Sequence, residues 1–204
     1  EPALDRVRLK MRVYSIKNIT LVNGAAEELP FDDAFFDLVV SNNGVNNVKD
    51  MQHVFQQIGR ATKTGGQFVF TMNTAETMHQ FYNVLDEILF EANRMDATEK
   101  MRRHIYSKRR PVDEVRELAE KSGFDVEHVY YDDFDLSFVD SSTMFRHPLI
   151  KYWFLDGWKS IVEEGEQHDV FARVEKRMDE RADGTIHLAV PFVTFDCRRR
   201  DDKN

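Results

Sequence analysis

The sequence predicts an α/β layer fold with a largely parallel sheet. Three observations predict it. Short strand-like runs alternate with longer stretches of helical period, and the run 36–41 is almost wholly apolar, as in a strand covered on both faces. The turn pairs Asn23-Gly24 and Gly65-Gly66 punctuate that alternation. At 204 residues and 42% hydrophobic content, the chain can bury one sizeable core, so residues 1–204 read as a single domain.

Leu4, Val7, Met11 and Tyr14 recur at three- and four-residue steps and predict a first amphipathic helix. The β-branched run Ile19-Thr20-Leu21-Val22 predicts a strand that stops at Asn23-Gly24. Phe36 to Ser41 predicts a second strand, central in the sheet. Met51, Val54, Phe55, Ile58 and Ala61 form a helical stripe that Gly65-Gly66 ends, before a strand over 67–72. The stripe Met78, Phe81, Tyr82, Leu85 and Leu89 predicts a longer helix, and Pro111 with Asp113 and Glu114 starts another that Gly123 closes. A strand follows over 124–131, then an aromatic-rich helical region over 138–162, a helix over 170–178, and a strand over 185–197 interrupted by Pro191.

Composition excludes several functions. A net charge of −8 opposes broad attachment to nucleic acid or to anionic lipid. No apolar run approaches the roughly 20 residues a bilayer requires, so no membrane partner is expected. The lone Cys197 rules out an internal disulfide and a cysteine-held zinc; no metal is expected, and the reducing cytoplasm is the compartment it fits. The chain begins Glu1-Pro2 rather than with Met, with no secretory leader after it.

In open parallel sheets, ligands bind beyond the carboxyl ends of the strands. The segments to read are therefore 23–31 (NGAAEELPF), 41–50 (SNNGVNNVKD) and 72–77 (MNTAET). Leu29, Pro30 and Phe31 offer an apolar wall to a flat heteroaromatic ring, or simply a cap on the core.

Ala25 to Phe31, Phe36-Asp37-Leu38-Val39 and Arg60-Ala61-Thr62-Lys63-Thr64-Gly65-Gly66, in that order, resemble the class I S-adenosylmethionine-dependent methyltransferases. The branch they resemble makes ubiquinone and menaquinone. The likeness is clear to about residue 75 and weaker through Ser122-Gly123-Phe124 and Ile186 to Phe192. The resemblance implies a Rossmann-like three-layer fold with an antiparallel last strand and sheet order 3-2-1-4-5-7-6. It implies S-adenosylmethionine held by Ala25, Ala26, Glu27, Leu29, Ser41, Asn42, Asn43 and Val48, with a small-molecule acceptor. It also divides the chain into a cofactor-side half, 1–75, and acceptor-side helical insertions, 76–110 and 133–182.

There are departures from the family pattern. Ala25 stands where the family has an adenine-contacting Asp, which leaves backbone contacts around Ala26 and Glu27. Val45-Asn46-Asn47-Val48 replaces the family's Leu-His-His-Val, and Ser41-Asn42-Asn43 is not the Asn-Pro-Pro-Tyr of enzymes acting on nucleic acid or protein amines. By register the family's first two strands, with their glycine turn, precede Glu1. A missing N-terminal segment, a partner copy in a homodimer, or direct pairing of the runs 19–22 and 36–41 would then close the sheet.

Methyl transfer needs proximity and few fixed groups. On the acceptor side the candidates are His79, Tyr82, Tyr152 and Trp153, with His147 beside Pro148 as the general base. The basic run Lys100 to Arg110 either attracts an anionic acceptor or is a solvated helix face. The competing expectation is a non-catalytic methyltransferase-like module acting in protein association, which Ala25 and the absent glycine turn favour.

Overall fold

The structure is a computed structural model and describes residues 2–201. Helix α1 (Pro2–Val13) follows the periodic stripe, but Val7, Leu9 and Val13 remain exposed. Residues 16–35 contain no strand. Strand β1 (Phe36–Asn42) leads through a short 3-10 turn to helix α2 (Met51–Ala61). Its stripe buries Val54, Phe55 and Ile58, with Asp50 accepting from the His53 N–H at 3.0 Å as N-cap. Truncating fully buried Phe55 to Ala costs about 3–5 kcal/mol.

Strand β2 (Thr62–Asn73) precedes the helices α3 (His79–Glu91), α4 (Met95–Lys108) and α5 (Val112–Lys121). Strand β3 (Phe124–Phe138) is followed by the short helices α6 (Ser141–Arg146), α7 (Pro148–Trp153) and α8 (Leu155–Lys159), then α9 (Gln167–Arg181) and strand β4 (Ile186–Arg199).

The sheet order is β1-β2-β4-β3. Strand β1 pairs parallel to β2, whereas β4 runs antiparallel to both neighbours. Three of the four described strands therefore share one direction, and the last strand opposes them from between β2 and β3. That order reproduces the 4-5-7-6 portion of the sheet implied by the resemblance.

Two apolar clusters fill the layers. One joins α2, α5 and the sheet through Phe55, Phe68, Phe70, Phe124 and Phe195, with the rings of Phe70 and Phe195 stacked 4.6 Å apart. The other joins α3, α4, α9 and the short helices around Phe81, Leu85, Met144 and Trp158.

Four sequence expectations need correction. The run Ile19–Val22 forms no strand, and Ile19 and Val22 are exposed, since no described neighbour offers it a ladder. It therefore does not pair with the run 36–41. Strand β1 is an edge strand among the described residues rather than a central one, with Leu38 and Val40 exposed. Strand β2 starts at Thr62, before the glycine pair; Gly66 lies so close to the Lys63 and Asp37 carbonyls that a Cβ would sit 2.7 and 3.2 Å from them. Strand β4 runs unbroken through Pro191, which lies one residue beyond the end of the β2 ladder. The Pro191 carbonyl instead accepts from the Thr74 N–H at 3.0 Å and from Thr77 Oγ1 at 3.1 Å.

Candidate functional site

The carboxyl ends of β1 and β2 lie side by side because the two strands are parallel, and β2 fixes the turn that leaves β1. Asn43 takes a left-handed conformation at φ 50°, and its N–H donates to both the carbonyl and the hydroxyl of Thr71 at 3.1 Å. Thr71 Oγ1 donates in turn to Asn42 Oδ1 at 2.7 Å. Asn47 Nδ2 donates back to the Asn43 carbonyl at 3.1 Å, which ties the 3-10 turn to the strand end. Gly44 sits against this turn, where a Cβ would lie 2.7 Å from Ser41 Oγ.

The loop 25–31 is fastened by an arginine. Arg60 on α2 donates to the carbonyls of Phe31 at 2.7 Å and Leu29 at 3.0 Å and pairs with Asp33. Glu27 accepts from the Lys49 N–H at 3.3 Å, which joins this loop to the segment 41–50. Ala26, Leu29 and Val48 pack against the same apolar cluster, while Ala25 is exposed.

A cavity of about 550 Å³ opens beside these strand ends. Asn43, Asn46, Asn47 and Asn73 form its polar wall; Phe134, Leu136, Leu149 and Trp153 contribute apolar surface; His104, Lys108 and Arg109 from the end of α4 complete it. Asn46 Oδ1 is buried with no hydrogen-bond partner among the described residues. Arg109 is only 5% exposed, and its guanidinium lies 5.6 Å from the Tyr82 ring centroid with Nη1 3.4 Å from Tyr82 Oη. Tyr82 Oη also accepts from Trp158 Nε1 at 3.0 Å, and Trp158 stacks on Phe81 at 3.8 Å. Burial, reinforced by the charges of Arg109 and Lys108, pushes the His104 imidazole below its ordinary pKa.

Comparison with known proteins bears on this geometry. The methyltransferase domain profile matches residues 1–70. Residues 1–70 are thus similar in sequence to methyltransferase domains. Demethylmenaquinone methyltransferases of Bacillus cereus and Bacillus anthracis are 36% identical over 81 residues, covering 40% of this chain and 34% of each relative. The chain thus matches about a third of the length of those relatives. Among solved structures, a Bacillus halodurans protein assigned as a methyltransferase superposes with a TM-score of 0.59 at 17% identity, covering 98% of this chain and 80% of that one. The YcgJ protein of Bacillus subtilis superposes with a TM-score of 0.54 at 14% identity, covering 95% and 76%. The chain shares their Rossmann-like fold.

Within this fold, the expected cofactor residues fall on two joined segments: Ala25, Ala26, Glu27 and Leu29 on one loop, and Ser41 and Asn42 at the end of β1 with Asn43 and Val48 in the turn that follows on the other. Of the acceptor-side candidates, Trp153 lines the 550 Å³ cavity and is 79% exposed at its rim. Tyr82 stands behind Arg109 in the core. Tyr152 points to solvent beneath Lys151, and His79 lines a different cavity, with Arg181 and His187. His147 caps α7: its Nδ1 accepts from the Leu149 N–H at 3.3 Å, its ring meets Phe138 edge-on at 5.4 Å, and it does not line the cavity.

His104 escaped the sequence reading; Asn46 and Asn73 lie in the segments 41–50 and 72–77 without having been singled out, and Arg109 belongs to the basic run expected either to attract an anionic acceptor or to be a solvated face. The basic run signalled α4 but not which of its cations turn inward. Lys100 pairs with Glu163 at 2.6 Å and Arg103 with Glu99 at 3.7 Å, and Arg110 lies over Tyr106, whereas Lys108 and Arg109 line the cavity. No helix among the described residues is long and apolar enough to cross a membrane.

Proposed function

We propose that this chain binds S-adenosylmethionine along the joined loops 25–31 and 41–48 and methylates a small-molecule acceptor seated in the 550 Å³ cavity. The observation that carries the reading is the opening of that cavity at the carboxyl ends of two parallel strands, directly after a segment of methyltransferase-domain sequence.

The residues present fit the cofactor. The orphaned Asn46 Oδ1 suits an amine or hydroxyl donor, and half-buried Ala26, Leu29 and Val48 suit the face of a flat ring. Ala25, Glu27, Ser41, Asn42 and Asn43 complete the two loops that would hold it. Bound there, S-adenosylmethionine supplies an electrophilic methyl group on its sulfonium. The chain's own residues contribute orientation and the exclusion of water. His104, held neutral by burial and by two neighbouring cations, accepts a proton from an acceptor that must lose one. Trp153 covers the rim, and His147 positions it by capping the helix that carries it. The substrate named for the relatives is a small organic molecule, which supports an acceptor of that size.

Calorimetric titration of the full chain with S-adenosylhomocysteine tests this reading. Saturable one-to-one uptake, weakened about tenfold in Asn46→Leu, is the expected result. No uptake by the full chain overturns the reading and favours a non-catalytic module.

A further inference from the structure

Arg109 is a buried cation with no anion. Its side chain lies under the surface at the end of α4 and lines the 550 Å³ cavity, and among the described residues no carboxylate comes within ion-pair distance of it. A buried charge is ordinarily paired or coordinated. What Arg109 has instead is the face and the hydroxyl oxygen of Tyr82, both electron-rich and both neutral. The carbonyls at the end of α4 add only partial negative charge. Lys108 lines the same cavity and also takes no carboxylate among the described residues, so the end of α4 presents positive charge to this cavity. Chain-wide, acids outnumber bases by eight, so this is a local arrangement that runs against the protein's overall balance.

The rest of the cavity is unlike a site for a small hydrated ion. Phe134, Leu136, Leu149, Trp153 and Phe154 also line it, and Trp153 leaves most of its ring uncovered. The basic groups therefore attract an anion and the apolar lining attracts apolar or aromatic surface. The charge count narrows the anion. Arg109 is the one buried formal charge there, since His104 is kept neutral and Lys108 is exposed at the mouth. A single buried guanidinium balances a monoanion, and its planar fork matches a carboxylate.

Resting on the methyltransferase reading, we infer that the acceptor in this cavity is an amphiphilic carboxylate: an aromatic or bulky apolar body packed against Phe134, Leu149 and Trp153, with its carboxylate paired to Arg109. This differs from a neutral quinone, for which Arg109 would stay an uncompensated buried charge. Lys108 at the mouth draws the anion in, and Asn43 and Asn73 face the end of the ligand nearest the strand tips.

The test uses the full chain, intrinsic tryptophan fluorescence as the signal, and the probe pair biphenyl-4-carboxylate and biphenyl-4-carboxamide, which differ in charge and little in shape. The carboxylate is expected to bind about tenfold or more tightly than the amide. In Arg109→Gln the preference disappears while the amide still binds; in Arg109→Lys it returns in part; in Lys108→Gln it weakens only modestly. Because Arg109→Gln can fail to fold, the comparison of the two probes on the unaltered chain stands by itself. Equal affinities, a preference for the amide, binding of neither probe, or an unchanged preference in folded Arg109→Gln overturns the inference. S-adenosylhomocysteine binding is measured on the same sample. Uptake of the nucleoside without carboxylate preference overturns this inference alone, and carboxylate preference without nucleoside uptake overturns the methyltransferase reading alone.

Discussion

The imidazole of His104 lies so close over Gly157 that a Cβ on that glycine would sit 2.9 Å from Cε1. A helix-lining contact from α8 thus determines how deeply a cavity residue of α4 is buried. The absence of a side chain at 157 is what admits the ring.

Gly157→Ala tests this contact. Alanine favours the helix by roughly 0.5–1 kcal/mol, but the ring must move away from it. Overall stability is expected to stay near that of the parent, while the His104 pKa rises toward its ordinary value as the ring leaves its buried seat. A proton NMR titration of the histidines reads this directly. An unmoved His104 resonance shows that the ring does not depend on Gly157.

His104 also gives stability a pH dependence with a defined sign. Its folded pKa is lowered from 6.5, first by burial and then by Arg109 and Lys108, so below pH 6.5 the unfolded chain takes up a proton that the folded chain resists. The stabilisation is present above 6.5 and is lost as pH falls through the folded value. Urea unfolding at pH 7.5 and pH 5.5 is expected to show that loss, and His104→Gln to reduce it. An equal loss in both proteins assigns it elsewhere.

Cys197 behaves in the opposite direction. Fully buried on β4 and beside Asp196, its thiol is raised from 9.0 to about 12, with burial as the main cause. The stabilisation it contributes is complete below pH 9 and is lost as pH rises through about 12. A thiol reagent at pH 8 is expected to label the chain only as fast as it unfolds, with labelling accelerated by urea. Rapid labelling of the native chain contradicts the burial.

Arg60 is the fastening of the loop 25–31. Arg60→Ala leaves the Leu29 and Phe31 carbonyls without that donor, at a cost of about 1–2 kcal/mol. Hydrogen exchange is expected to rise at the Phe31 amide, which bonds within the loop, and to change little at the Phe35 amide, which is held by the Ala61 carbonyl. Uniform acceleration across both amides indicates global loosening instead.

How far the sequence disclosed this molecule depended on how local each determinant is. The stripe Val54, Phe55, Ile58 announces its helix because pattern and burial coincide within a few residues, and Phe36 to Ser41 announces its strand through local propensity, although its position at the described sheet's edge leaves Leu38 and Val40 exposed. The run Ile19–Val22 misled because a strand needs a neighbour as well as a propensity. That the segments 25–31 and 41–50 lie together was legible, since each follows a strand-like run, and Glu27 joins them through the Lys49 N–H. The lining of the 550 Å³ cavity was less so. His147 stood out beside Pro148, yet that proline starts a helix that His147 caps. His104 and Arg109 looked like members of a solvated basic run, because their burial is decided by Gly157 and Tyr82, far away in the chain.

The position of β4 has a consequence for how the chain comes together. This segment, 186–199, separates β2 from β3 and hydrogen-bonds to both, although both emerge from the ribosome well before it. Until it inserts, β3 has no pairing partner, and the aromatic surfaces of Phe68, Phe70 and Phe124 have no Phe195 against which to order. Assembly of the sheet is therefore late and concerted. A ribosome paused before residue 186 holds a chain whose helices and β1–β2 pair can form but whose β3 cannot join the sheet, and such nascent chains should be the ones that chaperones capture.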